Sequence, residues 1–388
     1  MILINVNKEE IAEKHLNALK NRVINRIQNQ YSKFTPDGRF NEYKKLLDYF
    51  NKNLNTLLVG ELNDLKQVIT KIEKDIYISS SKLKSILTKR EQERVTARDG
   101  TLRSFIQRNN LEPYLDKIRT IEYNNLGEFK TDINKLIEMQ TLSIANTNKE
   151  MTFEEAIFEI FSYNDFSEFK KDRTNVWDAY EYTSYLNNDV CPYCDRQFTF
   201  TFIDLKREKR ARAVLDHFYS KSLYPYLSIA IFNLIPCCHV CNSTFKLNRD
   251  LYNNEIVYPF EEEFHNNVEF RVKNLSYKSL VGLDANIEIF LKVITADEEL
   301  KEKIDKSIEL FSLNEIYTAH NVYVKSLIRN LYINSEGRIN EILNHSGLFN
   351  DIKEIEDILF LGMNREVNLG KQVLSKLTFD IIKQYKLE

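Results

Sequence analysis

The 388-residue sequence predicts a mostly α protein with a small α+β centre, and three observations carry that expectation. Glycine and proline are scarce, at nine and six residues, which favours long helices over tight turns. Apolar residues recur three and four apart over much of the chain, the spacing of a helix face. Alternating, β-branched and aromatic runs gather in the middle, where all five cysteines lie between Cys191 and Cys241. The layout is a helical N-terminal region over 1–185, a centre with short strands over 186–295 and a helical C-terminal region over 296–388.

In the first region Ile11, Leu16, Leu19, Val23 and Ile27 define one helix face. Leu62, Leu65, Ile69, Ile72 and Ile76 alternate spacings of three and four, an a/d pattern that pairs with the apolar helix around Leu46–Leu58 across a turn at Gly60. So short a pattern favours a helical bundle within the chain over a partner-binding coil. From Ser79 to Asn146 helical segments alternate with polar breaks at Asp99–Thr101 and Asn124–Gly127. Thr152, with Glu155 three residues on, predicts a capping box. Trp177, Tyr180, Tyr182 and Tyr185 lead into the centre.

The centre is framed by two Cys-x-x-Cys pairs, Cys191–Cys194 and Cys238–Cys241, with 43 residues between them. A tight turn aims both sulfurs of a pair at one point, so the four thiolates predict a closed, structural Zn²⁺ site. Cys237 is left over as a small buried side chain. No βαβ pattern surrounds either pair, which disfavours a redox role. Inside the frame, Phe198–Ile203 and Ala211–Phe218 read as strands, the second carrying Asp216-His217. A short apolar run begins at Asn233, and His239–Asn248 carries the second knuckle into a short helix. Beyond it, Val257–Lys273 alternates apolar and polar residues in pieces (EIVYPF, VEFRV), which, with Ile287–Val293 after them, read as strands. Ile308–Leu331, Ile342–Leu361 and Val367–Tyr385 read as helices.

Hydrophobic residues at 43% and charged residues at 29% argue for a packed globular chain and against disorder. The net charge of −3 leaves any nucleic-acid partner to a local basic patch. The start, MILINVNKEE, lacks the pattern of a signal peptide, and no stretch approaches the roughly 18 apolar residues of a membrane span. Clustered cysteines suit a reducing compartment, so a cytoplasmic location without membrane contact is expected.

Strand, loop, strand and helix, with Asp216-His217, Asn233 and Asn242 in order along them, resemble the HNH endonuclease family and its ββα-metal fold. The resemblance implies a metal-dependent endonuclease that hydrolyses phosphodiester bonds. His217 is then the base that takes a proton from water near pH 7. Asp216 and the side-chain oxygen of Asn242 hold Mg²⁺ or Mn²⁺ at the scissile phosphate. Asn233 orients the histidine or braces its loop. Many members carry a lysine three residues after the helix asparagine; here Lys246 is four away, on roughly the same face, within reach of a phosphate. His239, inside the second knuckle, reads as a surface residue.

The run KREKRAR supplies Lys206, Arg207, Lys209, Arg210 and Arg212, which with Lys246 are the candidate DNA contacts. A solvated charged hairpin is the bland reading of the same run. Tyr219, Tyr224 and Tyr226 read as packing residues. Further on, Phe311–Ile328 (FSLNEIYTAHNVYVKSLI) looks like HNH nucleases that accompany an ATPase in bacterial antiphage systems of the Septu or retron type. That likeness implies an ATPase partner, with the N-terminal helices as the docking or regulatory region. Two alternatives share these features: a non-catalytic zinc ribbon that binds nucleic acid or protein, and an HNH nuclease that cuts RNA or tRNA.

Overall fold

The computed structural model describes residues 1–85 and 126–387. The break expected at Asp99–Thr101 and the start of the one at Asn124 lie outside them. Helix α1 spans Lys8–Lys33, its first turn capped by Asn7, and buries Ile11, Leu19, Val23 and Ile27 along the expected face. Helices α2 (Gly38–Lys52), α3 (Leu54–Val59) and α4 (Leu62–Asp75) follow. The α3–α4 turn needs Gly60, since a Cβ there would stand 2.5 Å from the carbonyl oxygen of Thr56. Helix α4 packs Leu65, Val68, Ile69 and Ile72 into the core that α1, α2 and α3 also fill, so these helices form a bundle.

Helix α5 (Leu126–Met139) leads to a small hairpin, β1 (Thr141–Ser143) with β2 (Glu150–Thr152), that the helical pattern gave no sign of. Helix α6 (Phe153–Ile160) starts in the expected Thr152/Glu155 capping box, and the short α7 (Tyr163–Ser167) and α8 (Ala179–Leu186) lead to the first cysteine pair.

Four antiparallel strand pairs make up the sheet content of the described residues. In the centre, β3 (Phe202–Asp204) pairs with β4 (Lys209–Ala211), and β5 (Val214–His217) pairs with β6 (Leu234–Cys237), setting Asp216 opposite Ile235 and His217 opposite Leu234. A π-helical turn, Cys241–Lys246, follows β6. Strands β7 (Val268–Asn274) and β8 (Ile287–Val293) pair along their full length, as their alternation predicts.

Some expected elements differ. Only the end of Phe198–Ile203 is a strand, and Phe198 and Phe200 are both exposed. Ala211–Phe218 is divided between β4 and β5. EIVYPF is not a strand: its apolar side chains are buried, and its polar groups are met from elsewhere, Val257 N–H by Ser307 Oγ and the Tyr258 hydroxyl by the carbonyl of Phe232. The helix expected over Ile308–Leu331 breaks at Ser312, whose φ is 47°, into α9 (Glu298–Leu310), α10 (Leu313–Tyr317) and α11 (Asn321–Ile333). Ile342–Leu361 divides at Gly347 into α12 (Glu336–Ser346) and α13 (Ile352–Leu359), and α14 (Ser375–Leu387) ends the described chain.

The cores cross the three expected segments. One runs from Met1 to Leu313, joining the helical region to the centre through contacts such as Phe50 with Phe161 and Tyr226. The second packs β7 and β8 of the centre against α11 and α14 through Phe270, Ile289, Ile328 and Ile381. No helix among the described residues is long and apolar enough to cross a membrane.

Candidate functional site

Cys191, Cys194, Cys238 and Cys241 are all buried, and their four Sγ atoms lie within 4.8 Å of one another. Cys194 and Cys238 approach to 4.0 Å, close to the roughly 3.8 Å edge of a ZnS₄ tetrahedron with Zn–S near 2.3 Å. The donor set fits zinc with no position left for a substrate. Burial pushes the Cys191 thiol well above its usual range, while hydrogen bonds from Cys191, Cys194 and Cys241 hold Cys238 far below it. Cys237 is buried on β6 opposite Val214 and does not belong to the cluster. No second group of three or more Cys, His, Asp or Glu side chains converges in this way among the described residues.

The first knuckle is also where the C-terminal region attaches. Phe311 stacks on Tyr193 at 4.6 Å, Tyr317 donates its hydroxyl to the carbonyl of Cys194 (2.7 Å), and Arg196 Nε donates to His320 Nε2 (2.9 Å). Asp195 accepts from the Lys376 N–H at 3.0 Å and so caps α14 from a distance of 181 residues. Burial pushes its carboxyl up to about 7. Phe311, Tyr317 and His320, three of the residues that carry the resemblance in Phe311–Ile328, are therefore engaged within the chain.

Asp216 and His217 close β5. The Asp216 carboxylate is buried and accepts from the Tyr193 hydroxyl at 2.7 Å and from Lys246 Nζ at 2.9 Å. Lys246 also donates to the carbonyl of His217 (2.6 Å) and has no exposed surface. This corrects the expectation that Lys246 reaches a phosphate. The wider π-helical turn carries it inward, and its ammonium is committed to Asp216 and the backbone. The expected cation site fits poorly for the same reason. Both oxygens of Asp216 are engaged, and the Asn242 amide, half-buried, bonds to Ser243 with no hydrogen bond to Asp216. As placed, Asp216 is the partner of a lysine and not an open ligand for Mg²⁺ or Mn²⁺.

The His217 ring is fixed from two sides. Its Nε2 lies 2.9 Å from the carbonyl oxygen of Ser228, which can only accept, so Nε2 carries the proton and Nδ1 is the acceptor. Its ring meets that of Tyr163 at 4.7 Å in an edge contact. Burial, then the charge of Lys221, pulls the imidazole down to about 3. Asn233 is buried and does not touch the ring. It accepts from Tyr219 N–H (2.7 Å) and donates to the carbonyls of Tyr219 (3.0 Å) and Leu227 (3.1 Å), bracing the loop that presents Ser228.

The helical region holds that loop too. Ser228 Oγ donates to the carbonyl of Phe161, and His15 Nε2 donates to that of Ile229 (2.8 Å) while its Nδ1 accepts from Trp177 (3.0 Å). Sequence reasoning missed Tyr163, Tyr193, Lys221, Ser228 and His15 as parts of the site. Only the aromatic lead into Cys191 hinted at a densely packed surround.

The basic run forms the β3–β4 hairpin. Lys206, Arg207, Lys209 and Arg210 are exposed, with Arg210 lying over Phe169 at 4.7 Å, and Arg212 is half-buried over Tyr180 at 5.1 Å. His239 is exposed, and Tyr219, Tyr224 and Tyr226 are buried. A separate cavity of about 590 Å³, lined by Lys82, Leu223, Arg249, Asp250, Lys306 and Glu309 among others, includes none of the candidate site residues. No family model matches this chain, and no curated protein or solved structure matches it either.

Proposed function

We propose that this protein is an HNH-type endonuclease that hydrolyses phosphodiester bonds in DNA at His217. The observation that carries the reading is a histidine with a fixed tautomer, Nε2–H on the Ser228 carbonyl and Nδ1 as acceptor, at the end of an antiparallel hairpin followed by a helical turn. Nδ1 takes one proton from water, the hydroxide attacks phosphorus, and the bond to the 3′ oxygen breaks, that oxygen taking its proton from solvent. Without substrate the imidazole sits at about 3, too low for efficient proton uptake. A phosphodiester brings a negative charge that opposes both burial and Lys221, and it raises the imidazole toward the working range. Zinc in the thiolate cluster supplies rigidity and no step of the reaction.

A divalent cation at Asp216 and the Lys246 ammonium compete for the same oxygen, so the cation requirement forms its own arm of the test. Supercoiled plasmid is incubated with the parent protein and with His217→Ala, each in Mg²⁺, in Mn²⁺ and without added divalent cation, beside single-stranded DNA and tRNA. The proposal expects nicking of the plasmid by the parent alone. Equal nicking by both removes His217 from the mechanism, and no cleavage of any substrate by the parent favours a non-catalytic zinc ribbon. A place beside an ATPase in antiphage defence rests on the likeness of Phe311–Ile328, and co-purification with such an ATPase tests it.

A further inference from the structure

Beside His217 the chain gathers positive charge without neutralising it. Tyr163, at the start of α7, lies with its ring against His217 at 4.7 Å, and Lys221 Nζ stands 4.6 Å from the centre of the same ring. Arg212 is the other neighbour: burial raises the Tyr163 hydroxyl, and the charge of Arg212 and a hydrogen bond from it oppose the rise. Arg212 Nη1 donates to the carbonyl of Ala213, and its Nε is buried without a hydrogen-bond partner.

Lys221 and Arg212 are both half-buried, and neither forms an ion pair with a carboxylate among the described residues. Other buried lysines do: Lys246 is paired with Asp216, Lys82 with Glu73 and Lys376 with Asp380. Partly desolvated cations are costly unless an anion meets them, and Asp216 is already taken. Arg212 also ends the exposed run Lys206–Arg210, so the two cations lie at the end of a basic stretch suited to a polyanion.

We propose that Arg212 and Lys221 form a phosphate clamp across the ring of Tyr163 that seats a DNA phosphodiester against His217. The clamp deepens the nuclease reading and rests on it. Tyr163 is its wall, so a residue of the helical region completes the site. The two cations meet the non-bridging oxygens and offset the charge that develops on them during attack.

The test separates binding from cleavage. A fluorescent DNA duplex and, beside it, a tRNA are titrated with full-length protein without added divalent cation over a range of salt concentrations, and cleavage is measured separately on plasmid. Lys221→Met keeps an apolar stem over Tyr163 without the charge, Lys221→Arg keeps the charge, and Arg212→Met removes the guanidinium. Zinc content and a thermal melt confirm that each variant is folded. Each methionine variant is expected to flatten the slope of log K against log salt by about 0.9, the contribution of one neutralised phosphate, and to cut more slowly. Lys221→Arg is expected to bind like the parent, and His217→Ala to bind with the parental slope but not to cut. Parental binding and cleavage by both methionine variants, with His217→Ala inactive, overturn the clamp and leave the nuclease reading standing. Parental cleavage by His217→Ala overturns the nuclease reading and the clamp with it. A slope loss seen with tRNA and absent with duplex DNA overturns DNA as the substrate.

Discussion

The thiolate cluster and the His217 site occupy the same stretch of chain, yet they are built on opposite plans. The cluster draws four like side chains from two turns, and its geometry is set by Cys-x-x-Cys spacing. The His217 site draws unlike groups from distant places: Tyr163 from α7, Tyr193 from the first knuckle, Ser228 from a loop and Lys246 from the π-helical turn. One is a set of thiolates able to hold a metal, and the other is closed by an ion pair, a backbone carbonyl and an aromatic edge. A short-range pattern therefore announces the thiolate cluster, while the His217 surround depends on contacts made only once the chain has folded.

If that contrast holds, losing the metal should be the largest perturbation. Structural zinc contributes about 10–16 kcal/mol in zinc-finger peptides near neutral pH, as much as the about 5–15 kcal/mol net stability of a typical protein. Cys191→Ser, or stripping with a strong chelator, is expected to abolish the cooperative melt, and elemental analysis of the parent to give about one zinc per chain. An unchanged melt after zinc loss would place stability elsewhere.

Breaking the ion pair should come next. Lys246→Met leaves Asp216 buried beside only the Tyr193 hydroxyl and is expected to cost about 3–5 kcal/mol in denaturant unfolding. Adding Asp216→Asn should recover part of that loss. An exposed lysine would instead change stability by less than about 0.5 kcal/mol.

Acid sharpens the comparison through the two buried histidines. Burial pulls His15 down to about 4 and His217 to about 3, so both are neutral in the folded protein at pH 7. The unfolded chain begins to bind these protons below about pH 6.5. Their contribution is therefore complete above that pH and falls as pH drops toward 4, by up to about 1.4 kcal/mol per unit for each histidine. Urea midpoints at pH 7 and pH 5 measure this, and His15→Gln should flatten the dependence; a midpoint that rises on acidification would contradict it. The smallest effect is expected at Cys237→Ala, which should retain zinc and lose about 1 kcal/mol, whereas Cys238→Ala should lose the metal.

How far the sequence could be read follows the same division. The cysteine spacing, the Thr152/Glu155 cap and the alternation of Ile287–Val293 are local signals, and each appears in the structure. EIVYPF misled because a segment buried on several sides shows the apolar density of a strand without being one. Lys246 misled because a helical face was assumed where the chain makes a wider π turn. Tyr163 and Ser228 carry no local signature at all; their meaning comes from facing His217, 54 residues after the first and 11 before the second.

If His217 is the working group, the thiolate cluster serves as its support. Plasmid nicking by the parent and by His217→Ala, each shown by elemental analysis and a thermal melt to be zinc-loaded and folded, tests it most directly. Cleavage by the parent and none by a folded, zinc-loaded His217→Ala is expected. Equal cleavage by the two proteins would contradict it.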